Sequence, residues 1–152
     1  MGIEDLLATL GLKLPPAPKP VGSYVPVRVS GDLAFVSAQI ASEEGQVLYQ
    51  GHVGAEVTVE EAREAARRCA LQALAALKDA LGSLDRVRGI VQLQVFVSSA
   101  AGFTDQPKVA NGASDLLVQI FGDQGRHARA AVGVAELPLG ASVEVAVVAK
   151  ID

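Results

Sequence analysis

The chain has 152 residues, 50% of them hydrophobic, enough to fill one core and leaving no room for a second domain. Its 13 Lys and Arg against 17 Asp and Glu give a net charge of −4, so no basic field exists to draw in phosphate backbones and nucleic acid is not an expected partner. The single cysteine, Cys69, excludes an internal disulfide and every cysteine-pair zinc pattern, which fits a reducing, cytoplasmic setting.

The N-terminus carries Glu4 and Asp5 where a secretory signal would carry basic residues, and Leu6 where a myristoylation motif needs Ser or Thr. No apolar run reaches membrane-spanning length, so a soluble protein without a membrane partner is expected. Residues 3–10 form a short amphipathic segment closed by Gly11. The stretch Leu14-Pro15-Pro16-Ala17-Pro18-Lys19-Pro20 that follows is stiff and extended, with neither helix nor ladder capacity. Residues 1–20 are therefore read as an arm laid across a single domain that spans 1–152.

Tyr24–Val29 alternates with Val25, Val27 and Val29 on one face, and Ser30-Gly31-Asp32 turns the chain into Leu33–Val36, a predicted hairpin. Gly45, Gly51 and Gly54 then leave room for at most one short strand, Gln46–Tyr49. A long helix is predicted from Thr58, whose hydroxyl and Glu61 make a capping box, to about Gly82. Ala62, Ala66, Cys69, Ala73 and Leu77 recur at helical spacing on its buried face.

Val87–Ser98 reads as a strand with Val91, Leu93, Val95 and Val97 on one face and Gln92 and Gln94 on the other. A second helix is predicted over Asp105–Phe121, with Val109, Ala113, Leu116, Leu117 and Ile120 on its core stripe and Gly122 closing it. Strands Arg129–Ala135 and Val143–Lys150, with Pro138 and Gly140 between them, read as a hairpin. This order predicts an α+β domain with one mixed sheet and both helices on one face. The other face is apolar enough to need a cover, most simply another copy of the chain.

Several chemistries are excluded. No two glycines are separated by one residue, no Gly-Lys-Ser/Thr sequence occurs, and there is no Gly-x-Ser-x-Gly elbow. His52 and His127 lack a His or Cys at ligand spacing, so no metal is expected. Polar groups concentrate instead in Gly125–Val132 and Leu137–Val145. Arg129 opens one strand and Glu144 lies in its presumed hairpin partner, a pair that reads either as a surface ion pair worth about 0–1 kcal/mol or as a functional site.

Gly125–Glu144 resembles the signature of the YjgF/RidA family. There an Arg in an Ala-Arg-x-x-Val strand is followed by Leu-Pro and then by a Val/Ile-Glu-Val/Ile strand, matched here by Arg129, Leu137-Pro138 and Val143-Glu144-Val145. The likeness extends through Gly22-Ser23-Tyr24-Val25, Ser37-Ala38-Gln39-Ile40, Val95-Phe96-Val97 and Val109-Ala110-Asn111, and the Pro-rich arm is similar to the longer branch labelled chorismate-mutase-like or endoribonuclease. The resemblance implies a chorismate-mutase-like α+β fold, and a homotrimer whose sheets form a central barrel with clefts at the subunit boundaries.

It also implies hydrolysis, without cofactor, of 2-imino or enamine acids such as 2-aminoacrylate. Arg129 would hold the carboxylate, Glu144 would orient or activate water, Tyr24 would close the pocket, and Ser37 and Asn111 would supply hydrogen bonds. A planar guanidinium suits a carboxylate and stays charged. The alternative is a module that binds a small carboxylate metabolite without catalysis, motivated by Ala38 standing where the family commonly has Gly. Ala131 likewise stands where deaminase members often carry Cys or Ser. A ribonuclease is the third reading, disfavoured by the acidic balance and by the lack of a basic, aromatic-interleaved stretch.

Overall fold

In the computed structural model, which describes residues 2–152, helix α1 spans Ile3–Thr9 and the Pro-rich stretch after it runs without helix or strand to residue 26. This arm lies on its own chain: Leu7 is buried, and Leu10, Leu12 and Leu14 pack against the core. The Ile3 N–H donates to Asp85 Oδ1 at 2.7 Å and the Leu12 N–H to the Leu7 carbonyl at 2.8 Å, which fastens both ends of α1.

Strands β1 (Val27–Ser30) and β2 (Leu33–Ile40) form the predicted hairpin. Beyond them the region read as holding at most one short strand instead holds a two-rung hairpin of β3 (Ser42–Glu43) and β4 (Gln46–Val47). Helix α2 (Val59–Leu81) has the expected ends. Thr58 Oγ1 accepts from the Glu61 N–H at 3.1 Å while Glu61 Oε1 accepts from the Thr58 N–H at 3.0 Å, and Gly82 closes the helix at φ +86.

The sequence predicts one buried face for α2, yet every residue from Cys69 to Leu77 is buried. The sheet lies on one side of this stretch, α3 (Gln106–Phe121) packs on another, and Leu14 of the arm packs against the same core. The two helices touch at Gly112 of α3, where a Cβ would stand 2.0 Å from the Arg63 carbonyl oxygen.

The remaining strands are β5 (Val87–Ser98), β6 (Ala128–Val134) and β7 (Val143–Ile151), and the sheet order is β1-β2-β7-β5-β6. The expected hairpin of the last two strands is corrected by this order. Strand β6 runs parallel to β5, with α3 as the crossover that a parallel pair requires, and β7 pairs antiparallel with β5 on its other side. The segment after β6 therefore crosses the end of β5 before β7 inserts beside β2.

A second correction concerns Val91, which is exposed rather than in the core. The register of β5 against β7 shifts between Ile90 and Gln92, and this bulge places Val91 and Gln92 both outward while Ile90 and Leu93 point inward. The face away from the helices remains uncovered within one chain. One row of it runs Arg28, Phe35, Val148, Gln92, Ala128 across the five strands, with Phe35 44% and Val132 45% exposed.

Candidate functional site

The ladder places Arg129 opposite Leu93, a fully buried residue of the helix side, so Arg129 projects on that side at the β6 edge. There Nη1 donates to Asn111 Oδ1 at 2.8 Å and to Ser114 Oγ at 3.1 Å, both on α3. The network continues inward. His127 Nδ1 lies 2.7 Å from the Gly125 carbonyl, which can only accept, so Nε2 is free to accept the Ser114 hydroxyl hydrogen at 2.9 Å. Both hydrogen bonds of the guanidinium leave from Nη1, and among the described residues Nε and Nη2 have no acceptor: one edge of the fork remains open at the surface.

Asn111 was among the expected site residues and joins Arg129 directly; Ser114 and His127 were not. Ser114 stands three positions after Asn111 on the same helix face, and His127 two before Arg129, which are the sequence signals that mark them.

Glu144 belongs to a different place. It is opposite Phe96 in β5 and Ile40 in β2, between the buried Val143 and Val145, and so faces away from the helices. The expected cross-strand approach of Arg129 and Glu144 does not occur within one chain, because β5 separates their strands and they leave the sheet on opposite faces. Glu144 instead lines a cavity of about 670 Å³ together with Tyr24, Ala38, Gln39 and the Pro138-Leu139 turn. Burial raises its carboxyl above the ordinary value of 4.5.

Ser37 does not line this cavity; its hydroxyl donates to the Val25 carbonyl at 2.6 Å, and its N–H to the Pro26 carbonyl at 2.8 Å, which ties the Tyr24 segment to β2. The cavity floor is held by Gln72 of α2, which donates to the Ile40 carbonyl at 2.8 Å and accepts from the Ser42 N–H at 2.9 Å. On the other side, Gln50 Nε2 donates to the Leu139 carbonyl at 2.8 Å. Burial, and after it the nearby charge of Glu144, pushes the Cys69 thiol far up, so this cysteine is no nucleophile. Among the described residues no group of three or more His, Cys, Asp or Glu could hold a metal ion, and no helix is long and apolar enough to cross a membrane.

Comparison with known proteins identifies the family. The chain belongs to the family described as "YjgF/chorismate_mutase-like, putative endoribonuclease", whose sequence profile matches residues 4–151. It is 51% identical over 140 residues to Protein TCP17 of Trypanosoma cruzi, covering 91% of this chain and 88% of that protein. Among solved structures it is similar to an Agrobacterium tumefaciens protein (45% identity, 99% and 92% of the two chains, TM-score 0.91). It is also similar to a protein from Shewanella oneidensis described as "a putative endoribonuclease" (36% identity, 99% and 100%, TM-score 0.95). At the level of fold alone it resembles Escherichia coli TdcF with bound serine (22% identity, 90% and 94%, TM-score 0.61). The mixed α+β domain is thus of the chorismate-mutase-like type that the signature implied.

Proposed function

We propose that the protein hydrolyses 2-imino and enamine acids to 2-keto acids and ammonia, at a cleft that two copies of the chain complete. The observation that carries this reading is the open edge of the Arg129 guanidinium. Asn111 and Ser114 hold Nη1, and Nε with Nη2 are left in the geometry that grips a carboxylate with two parallel hydrogen bonds. TdcF, which shares the fold, binds serine, a small amino acid with such a carboxylate.

The second group required is a site for water. Glu144 is half-buried, and burial raises its carboxyl, so it holds a proton more readily than a free carboxylate and is placed to take up and return one. Water adds to C2 of the imine as Glu144 moves one of its protons to the nitrogen; Glu144 then moves the carbinolamine hydroxyl proton to the same nitrogen, and the C–N bond breaks to give ammonia and the keto acid. Since Arg129 and Glu144 cannot meet within one chain, the Arg129 edge of one copy must face the Glu144 cavity of the next. The uncovered apolar sheet face supports such an association, and a homotrimer with its sheets turned inward as a barrel satisfies both requirements.

Ammonia and keto-acid release from 2-aminoacrylate, generated in place by a serine dehydratase, tests the proposal. Acceleration by the wild type and none by Arg129→Ala is expected; equal rates from both would defeat it. The alternative of a carboxylate-binding module without turnover is favoured by one feature, the Ala38 methyl that lines the cavity. Tight 2-keto acid binding by a protein inert toward every imine would establish it.

A further inference from the structure

The cavity beside Glu144 is much larger than 2-aminoacrylate needs. A three-carbon acid of about six heavy atoms displaces as much as three or four waters, roughly 100 Å³. The cavity measures about 670 Å³, within the range of roughly 300–1,000 Å³ that encloses drug-sized ligands.

Its excess volume is bounded by apolar surface from three separate segments: Pro18 and Val21 of the arm, Ile40 and Val47 of the β2–β4 region, and Pro138 with Leu139 after β6. Charge among the lining residues is confined to Glu144 and Lys19. Leu139 is informative because it breaks two rules at once. It is 73% exposed, and it holds a left-handed backbone at φ +59 that a leucine rarely adopts. The turn is fastened by Gln50 Nε2 to the Leu139 carbonyl and by the Gly51 N–H to the Gly140 carbonyl at 2.9 Å. A strained, exposed leucine fixed on the rim of a cavity is a surface kept for contact.

Resting on the reading of Arg129 and Glu144 as an acid-gripping site, we infer that the cavity selects 2-imino and 2-oxo acids with an extended apolar side chain, branched aliphatic or aromatic, over three-carbon acids. Leu139 and Val47 are specificity-determining residues, and the arm, through Pro18 and Val21, forms the outer wall of the side-chain pocket. The carboxylate and reacting carbon lie toward Glu144 and the side chain lies among these residues. An added methylene in an apolar pocket changes affinity about tenfold or more, so a four-carbon aliphatic side chain against a methyl is readily detected.

Calorimetry on the full-length assembled protein with pyruvate, 2-oxobutyrate, 4-methyl-2-oxopentanoate and phenylpyruvate tests this, run beside ammonia release from the corresponding imines made by an amino-acid oxidase. At least a tenfold gain in affinity from pyruvate to 4-methyl-2-oxopentanoate is expected. That ratio should fall several-fold in Leu139→Ser, a surface change that spares the core, and in Val47→Gln. Equal or tighter binding of pyruvate, as when the next copy of the chain fills the cavity, overturns the inference while leaving deamination of small imines intact. A side-chain gradient without turnover of any imine supports the inference and defeats the deaminase reading. Failure of every 2-oxo acid to bind defeats both.

Discussion

Arg129 and Glu144, which sequence proximity and the family signature bring to mind as partners, stand on strands separated by β5 and project from opposite faces of the sheet. Each is equipped separately, the one by hydrogen bonds it donates to α3 and the other by a cavity against the arm. This separation makes a site shared between molecules testable without a structure of the complex. Arg129→Ala and Glu144→Gln should each lower ammonia release by about a hundredfold or more, in line with the loss of one preorganised charged group. Mixed, unfolded and refolded together, the two inactive variants should recover activity, since about one boundary in four then pairs an intact Arg129 with an intact Glu144. Failure of the mixture to recover, with mixed oligomers demonstrably formed, would place both groups in one subunit.

Phe35 lies in the middle of the uncovered face, opposite both Arg28 and Val148. Phe35→Glu should leave the monomer folded, because the side chain is already partly in water, and prevent association by burying a charge at the contact. Sedimentation velocity is expected to show the wild type as an oligomer and the variant as a monomer with unchanged far-ultraviolet circular dichroism.

Burial raises Glu144 above 4.5, so the folded protein holds this proton more tightly than the unfolded chain does, and between the two pKa values stability falls as pH rises. Glu144→Gln removes that penalty. The variant should melt at a higher temperature than the wild type at neutral pH, and the difference should vanish below the ordinary carboxylate value. A constant difference at every pH would show that the carboxyl carries no such penalty.

His52 has the opposite sign. Its ring is raised above 6.5, first by Glu56 at 3.3 Å and then by Glu136 at 3.0 Å, and it thereby joins the loop before α2 to the segment that leads into Leu137-Pro138. The stabilisation is complete below 6.5 and is lost as pH rises through the raised folded value. His52→Asn should therefore lower the melting temperature in mild acid and have little effect in alkali. The acid effect should also shrink in high salt, because both carboxylates are exposed and the ring is partly so.

Gly112→Ala forces a methyl into the Arg63 carbonyl, and the two helices must part to accept it. A loss of about 1–3 kcal/mol in urea unfolding is expected, with an unchanged dependence on denaturant.

Local chemistry made much of this legible beforehand. The capping box of Thr58 and Glu61, the left-handed Gly82 and the full extent of β5 follow from residues that act on their immediate neighbours. Pairing does not. Consecutive strands usually lie side by side, so residues 129–150 read as a hairpin, although a strand, helix and strand in succession from Val87 to Val134 already had the form of a parallel crossover. The bulge at Val91 carries no mark in composition, since valine suits either face. Of the site, Arg129 and Asn111 meet through a hydrogen bond that the sequence alone does not specify, and the shape of the Glu144 cavity depends on the arm, which lies more than a hundred residues away in sequence.

The alanines of α2 have a consequence for how this protein tolerates change. Ala62, Ala65, Ala66, Ala70, Ala73, Ala75 and Ala76 are all buried, and most have no accessible surface to speak of. A leucine-rich helix fails chiefly by truncation, which leaves a hole that neighbours partly fill. Here almost every accessible codon change adds atoms where none fit, so the helix has few neutral neighbours in sequence space. Random libraries should find these seven alanine positions nearly closed to change, with glycine and serine the main survivors, while the exposed Arg63 and Glu64 on the same helix accept many residues.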